Sequence, residues 1–441
     1  MIQENNNETQ LEKIKIKLTE KQKEAFQYMK KGHSVFLTGP GGSGKSFLLK
    51  YFIEWFKREI ENDKNQIFVT STTGLSALLI DGMTIHRYSG IGTGKSEVDE
   101  LFKKIYKIPH IRKRWISTAV LIIDEISMMD AELFDKLEIL AKKIRKNNNV
   151  FGGIQIILSG DFLQLPPVGS TNFCFESFCW DDVVSRTFYF DKILRQSDSG
   201  LQDILNNIRV GIVNEEVRTV LDSCIDRDLT NEAGIVPTLL FSKKDMVSKY
   251  NEDELNNLLK NGNESHIYNA AYEYSKNIQI DQHSFFRDLI NNSFQIGDCL
   301  CLCIDAQVML TVNMPEFGLA NGSRGIVIKF SGVNFNPVVR FLNGVVLEIQ
   351  RKEYLLEENK SSCKKIQIPL IHSWAITIHK AQGMSLEYVK TDIGNSIFEY
   401  GQAYVVLSRI KDINGLSLIN IDYSKIFAHP KILEYYKRLK G

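Results

Sequence analysis

One glycine-rich loop constrains this chain more than any other feature. Ser34-Val-Phe-Leu-Thr38 is a short apolar run of the kind that builds a buried strand. Gly39-Pro-Gly-Gly-Ser-Gly-Lys45-Ser46 follows at once, and an apolar-periodic helix is predicted from Phe47 to Phe56. Strand, G-x-x-x-x-G-K-[ST] loop and helix, in that order, make a phosphate cradle. Gly39, Gly41, Gly42, Ser43 and Gly44 let backbone N–H groups converge on phosphate oxygens, and the helix start adds favourable potential. Lys45 is placed to reach the β- and γ-phosphates of ATP, and the Ser46 hydroxyl to ligate Mg²⁺. The expected fold class is α/β.

The other half of such a site follows downstream. Ala119-Val-Leu-Ile-Ile123 reads as a buried parallel strand ending in Asp124-Glu125. In a parallel sheet the strand C-termini converge on the ligand crevice, so both carboxylates face the loop. Asp124 would hold Mg²⁺, and Glu125 would orient and deprotonate an attacking water. A third strand, Ile154 to Ser159, runs into Gly160-Asp-Phe-Leu-Gln164-Leu-Pro-Pro167, where the Gln164 amide is suited to sensing a γ-phosphate. Up to this point the residues specify an ATPase and nothing more.

Bulk properties narrow the partners. At 441 residues the chain can carry two or three domains. Lys plus Arg (54) nearly balance Asp plus Glu (53), so a nucleic-acid surface must be a local groove and not a basic body. No run of eighteen apolar residues is present, so no membrane span is expected. Met1 to Lys17 is polar, lacks the apolar core of a secretory signal, and reads as a short disordered lead-in. The seven cysteines include no C-x-x-C pair. Cys299, Cys301 and Cys303 alternate at strand spacing, which favours one face of a strand in a reducing compartment over a zinc site. A soluble intracellular protein is expected, in the cytoplasm of a bacterium or virus-infected cell or in a nucleus.

A motor needs a second domain that responds to the nucleotide, through an arginine that reaches the γ-phosphate from elsewhere in the chain. Arg195 in Lys192-Ile-Leu-Arg-Gln196 and Arg409 in Val405-Val-Leu-Ser-Arg409 are candidates, although either one alone reads as an ordinary surface or ion-paired arginine. The motif order decides between these readings. From Leu18 to Ser417 the chain resembles the PIF-type (petite integration frequency) DNA helicases of superfamily 1B. Leu18-Thr-Glu-Lys-Gln22 resembles the family's glutamine motif, Thr72-Thr73-Gly74-Leu75-Ser-Ala77 and Thr84-Ile85-His86 its first strand-binding motifs, and Asp124-Glu125-Ile126-Ser127-Met128 its metal and base motif. Leu133 to Glu138, running on to Phe151-Gly-Gly-Ile-Gln155, resembles the signature block of these enzymes. Asn321-Gly-Ser-Arg-Gly325 resembles a turn of their inserted domain, Trp374 to Gly383 the fifth motif, and Tyr404 to Arg409 the sixth.

The resemblance implies two RecA-like P-loop NTPase domains with a small inserted SH3-like β-barrel domain. The expected division is 1–189 for the first, with a wedge insertion at about 78–92; 190–267 and 367–441 for a split second; and 268–366 for the insert. Short alternating runs such as Gly325 to Phe330 and Val338 to Phe341, separated by Gly/Asn turns, read independently as a small β barrel. By resemblance Gln22 reads adenine, Gln382 and Gly383 border the nucleotide, and Arg195 and Arg409 point at the γ-phosphate. Thr73, His86, Thr377, His379 and Lys380 are polar types suited to a strand, and the motifs place them on it. The implied activity is ATP-dependent 5′-to-3′ translocation on single-stranded DNA by a monomer, unwinding forked or 5′-tailed duplex in replication, repair or recombination. Two alternatives stand beside it: a superfamily 1 helicase acting on RNA, and an ATP-controlled DNA clamp that does not unwind. Thr72, Tyr88 and Val406 depart from the family's usual Pro, Phe and Ala, and the first two sit near the expected strand path.

Overall fold

The computed structural model describes residues 18–92, 94–196, 198–229, 236–276, 278–294, 296–358 and 361–440. The expected lead-in, Met1 to Lys17, lies outside the described residues. Six strands make the first sheet: β1 Val35–Thr38, β2 Gln66–Ser71, β3 Met83–Thr84, β4 Thr118–Asp124, β5 Gln155–Gly160 and β6 Arg186–Tyr189. They are all parallel, in the order β3-β2-β4-β5-β1-β6. Both faces are covered, which is why the central strands are apolar throughout. The helix Lys45–Glu59 packs Leu48, Leu49, Phe52 and Phe56 on one face. The helix Ala131–Arg145 packs Phe134, Leu137 and Leu140 on the other. With β5 between β4 and β1, the strand ends that carry Asp124, Asp161 and Gly39 lie side by side.

The signature block has a structural explanation. Phe151, Gly152 and Gly153 all take positive φ (48°, 61° and 79°), so the chain reverses sharply between the helix and β5. A Cβ on Gly152 would lie 2.7 Å from the Ala141 carbonyl oxygen, so only glycine fits there. Arg145 locks the reversal, donating to the carbonyls of Gly152 (2.7 Å), Trp115 (2.6 Å) and Thr118 (2.9 Å). Gln155 then donates to the carbonyls of Met29 and His33, both at 2.8 Å.

Within the stretch expected as a wedge insertion, about 78–92, β3 pairs with Thr70 and Ser71 of β2, and Ile85 and Tyr88 are fully buried. Tyr88, expected near the strand path, is a core residue whose hydroxyl bonds the Thr118 hydroxyl at 2.9 Å. Its extra oxygen relative to Phe is accommodated inside the fold.

A second parallel sheet runs Ala375–Thr377, Thr238–Phe241, Val389–Ile393, Leu416–Ile421. Its core draws on residues from Leu201 to Leu240 and from Ile376 to Ile426. The terminal helix Pro430–Lys440 leaves that core: Ile432 and Tyr436 pack into the core of the first sheet. The sequence division at 367–441 missed this return, because an amphipathic helix does not announce which sheet it covers.

Between the two halves of the second sheet the chain is antiparallel. Five strands order as Val346–Glu348, Asn336–Phe341, Arg324–Ser331, Gln307–Leu310, Leu370–His372. The ladder is open, and the pair Cys299–Cys303 with Ser265–Asn269 contributes Leu302, Cys303 and Tyr268 to the same core. Burial along the cysteine strand is graded, from exposed Cys299 to buried Cys303. No group of three or more His, Cys, Asp or Glu side chains suited to a metal occurs among the described residues. A three-stranded sheet of Lys352–Glu358, Ser361–Gln367 and Ala271–Tyr274 packs with the helix His283–Phe294 around a small core of its own. Buried Arg324 ties the five-stranded sheet to the second parallel sheet, donating to the Thr238 hydroxyl (2.7 Å) and the Tyr388 carbonyl (3.1 Å). Among the described residues no helix is long and apolar enough to cross a membrane.

Candidate active site

The loop after β1 wraps the start of the helix Lys45–Glu59, with Gly44 in the left-handed region at the N-cap. Gly42 also has positive φ, and a Cβ there would lie 2.5 Å from Cβ of Arg195. Lys45 donates to the carbonyls of Gly39 (2.7 Å) and Pro40 (2.9 Å) and to the Ser43 hydroxyl (3.3 Å). Burial lowers the Lys45 pKa, opposed by Asp161 and Glu125. Ser46 is exposed on the first turn. Gln22, held in a capping box with Thr19, donates to the Gly44 carbonyl at 3.4 Å and so sits against the loop's last residue.

Across the cleft, Asp124 is buried and its pKa is raised by that burial. Its Oδ1 accepts from the Glu125 amide at 3.0 Å. Glu125 takes left-handed φ/ψ (53°, 43°), an uncommon conformation for a non-glycine residue and one that aims its carboxylate at the second sheet. There Gln382 donates to Glu125 Oε2 at 2.8 Å. Burial and then the Asp124 charge push Glu125 up to about 7. Thr72 donates its hydroxyl to the Glu125 carbonyl at 3.1 Å, so this departure from the family pattern contacts the site. Gln164 is buried, with its amide 3.4 Å from Asp161 Oδ2.

Both candidate arginines come to the loop. The Arg409 guanidinium lies 3.1 Å from where a Cβ on Gly41 would be. It is fully buried and held by the carbonyls of Val405 (2.8 Å) and Met384 (3.3 Å) and by the Ser408 hydroxyl (2.7 Å). Arg195 donates to the carbonyls of Ser408 (3.1 Å) and Gly383 (3.4 Å). Burial, and then the neighbouring charge of Arg195, pull Arg409 down to about 9. Two cations gathered beside a phosphate loop form a strongly anion-seeking corner.

Four residues of this centre escaped the sequence reading. Asp161 and Arg209 form a buried two-point ion pair (2.6 and 2.8 Å). Burial acts to raise the Asp161 pKa, but Arg209, Lys45 and the Leu163 amide together outweigh it and hold the carboxylate below its usual range. The Tyr436 hydroxyl, from the terminal helix, lies 3.0 Å from Asp161 Oδ1 and 2.7 Å from the Thr38 hydroxyl. Tyr404 accepts from the Gly41 amide at 2.9 Å, which places a second-sheet side chain directly on the loop. Asp161 stood beside Gln164 in a quoted motif, whereas Arg209 and Tyr436 carry no local signal.

A groove of about 1000 Å³ opens between the two parallel sheets. Thr73 lines it from the first, Thr377, His379 and Lys380 from the second, and Asn291 and Cys299 from the inserted strands and helix. His86 is not among the described residues lining it; it is half-buried in the short helix Ile85–Ser89, where burial lowers its pKa. Lys380 is pushed down to about 8 by burial and then by Lys244.

Residues 17–219 match the family model described as PIF1-like helicase. The crystal structure of Pif1 helicase from Candida albicans superposes with a TM-score of 0.80 at 36% identity, covering 96% of this chain and 100% of that one. The chain belongs to the PIF1-like helicase family. The ATP-dependent DNA helicase PIF1 of Xenopus laevis is 37% identical over 432 residues, covering 96% of this chain. This PIF1-like chain spans 65% of the length of that relative. A Bacteroides Pif1 helicase in complex with ADP-AlF3 and single-stranded DNA superposes with a TM-score of 0.65 at 26% identity, covering 96% and 97% of the two chains.

Proposed function

We propose that this PIF1-like chain is an ATP-dependent DNA helicase that translocates 5′-to-3′ on single-stranded DNA and unwinds duplex. The observation that carries the proposal is that Arg195, Tyr404 and Arg409 all meet the phosphate loop from beyond the first sheet. Arginines of this kind serve hydrolysis in any ATPase; what favours a motor is that they and Tyr404 tie a second core to the loop. Of the three, Arg409 and Tyr404 come from the second core itself, so closure over a γ-phosphate moves that core. The relatives named PIF1 helicases, and the Bacteroides complex with a phosphate analogue and a strand, support ATP and DNA as the ligands.

The residues fit Mg²⁺-ATP. Gly41, Gly42 and Gly44 carry no Cβ where Arg409, Arg195 and Gln22 approach the loop, and Asp124 offers a buried carboxylate at a strand end. In our reading Lys45 binds the β- and γ-phosphates, Ser46 and Asp124 hold Mg²⁺, and Gln22 contacts adenine. Glu125 takes the proton of the attacking water, Gln164 senses the γ-phosphate, and Arg195 and Arg409 neutralise charge developing on it. Gln382 and Gly383 border this centre from the second sheet. The metal, when bound, supplies charge that draws the phosphate oxygens together.

The strand would lie in the groove against Thr73, Thr377, His379 and Lys380, with His86 in the short helix that Thr84 caps. Alternation of the two parallel sheets, closed with ATP and open after hydrolysis, would advance the protein. We read the parallel sheets as two RecA-like domains and the five-stranded unit as an SH3-like insert. The terminal helix belongs in this reading with the first domain. An intracellular monomer acting on forked or 5′-tailed DNA in genome maintenance completes the proposal.

The reading is tested by ATP turnover with and without a single-stranded DNA oligonucleotide. Strong stimulation by DNA, well above that by an RNA of equal length, supports it; turnover indifferent to either strand contradicts it. The groove makes its own prediction. Lys380 is charged below a pKa of about 8 and loses its proton above it, although a bound phosphate raises that value. Strand affinity is therefore expected to fall more steeply between pH 7 and 9 in wild type than in Lys380→Met, measured by fluorescence anisotropy at constant salt.

A further inference from the structure

The base of the hydrolytic site and the strand groove share one small pocket. It is lined by Thr73, Ser76, Glu125, Met128, His379 and Gln382 and holds about 10 Å³. Thr73 and His379 also line the large groove, so the pocket opens between the two functions. Gln382 spans it. Its amide nitrogen donates to Glu125 Oε2 at 2.8 Å, while its amide oxygen is buried without a hydrogen-bond partner among the described residues.

Local structure makes Gln382 a lever. It is the C-cap of the single-turn helix Ile378–Ala381, whose N-cap Thr377 accepts from the Lys380 amide at 3.1 Å. Within that one turn, Thr377, His379 and Lys380 face the groove, while Ile378 and Ala381 are buried in the second core. Anything seated against Thr377, His379 and Lys380 loads a rigid turn whose far end holds Glu125. Packed elements of this kind transmit displacement instead of absorbing it.

We propose that Gln382 is a positioning residue that couples strand occupancy to hydrolysis, by holding the Glu125 carboxylate in its working orientation when the groove is filled. The inference rests on the helicase reading above and adds to it the path by which a strand accelerates ATP turnover. Gln382 touches the base and not the reacting phosphate, so its effect falls on kcat.

Gln382→Met keeps the length and packing of the side chain but removes the donor. ATP turnover and strand affinity are measured for wild type and variant, each with and without a poly-dT oligonucleotide. The variant is expected to bind the strand within about threefold of wild type while kcat at saturating strand falls about tenfold, the scale of one hydrogen bond to a charged group, and KM for ATP moves less than kcat. Gln382→Asn, which keeps the amide but is one methylene short, is expected to show the same loss. Wild-type stimulation in either variant overturns the coupling, as does a Gln382→Met protein whose defect lies in strand affinity alone. A wild-type protein that does not respond to strand at all overturns the helicase reading, and is recognised as such before any variant is compared.

Discussion

Lys45→Ala is expected to lower ATP hydrolysis by about a thousandfold or more, the scale on which a single cation acts in phosphoryl transfer. The side chain is committed to the loop through the Gly39 and Pro40 carbonyls and the Ser43 hydroxyl, with Asp161 and Glu125 the leading charges that favour its ammonium form. Its removal takes away the one ammonium inside the phosphate cradle. Strand-stimulated phosphate release from purified protein, with thermal melting to verify folding, is the measurement. Retained turnover in a folded variant would refute the cradle assignment.

Arg409→Ala is expected to separate binding from chemistry. The guanidinium stands beside Gly41 from the second core, so it acts when the cleft is closed around a γ-phosphate. ATP-analogue affinity should change by less than about tenfold, while kcat falls by about a thousandfold or more. Arg409 also holds three oxygens of its own core, so Arg409→Lys is the sharper comparison. Lysine keeps a charge but not the planar fork that makes these bonds while facing the loop, and it should recover only a small part of the loss. Normal hydrolysis in either variant would return Arg409 to a structural role.

The parts of this protein legible in its sequence are those in which chemistry and local structure coincide. The loop from Gly39 to Ser46 needs glycine for close approach and a strand and helix for its frame, so one short segment specifies the local fold and points to a phosphate ligand. Asp124 and Glu125 were legible for the same reason, at the end of an apolar strand. The long-range partners were not legible. Arg209 and Tyr436 converge on Asp161 only after the terminal helix crosses back to the first sheet, and no period or spacing encodes that crossing. Gln382 was placed at the nucleotide site by its motif, but its bond to Glu125 depends on how the two sheets face each other. Tyr88, read only as lying near the expected strand path, is a core residue, and nothing in its local sequence marks that burial.

The signature block illustrates how a recognised pattern gains a physical cause. Its basic residues read as a solvated helix face, and Lys142 and Lys143 do pair with Glu138 and Asp99. Arg145 instead points inward to brace a turn that three successive positive-φ residues create. That brace sets the register of β5, and with it the position of Asp161 and Gln164.

In the proposed mechanism, closure over ATP drives movement along a strand in one direction. Strand displacement with ATP and Mg²⁺ tests it most directly, comparing duplexes that carry only a 5′ or only a 3′ single-stranded tail. The 5′-tailed duplex is expected to unwind and the 3′-tailed one to stay closed. Unwinding from the 3′ tail, or DNA-stimulated hydrolysis with neither duplex opened, would contradict it.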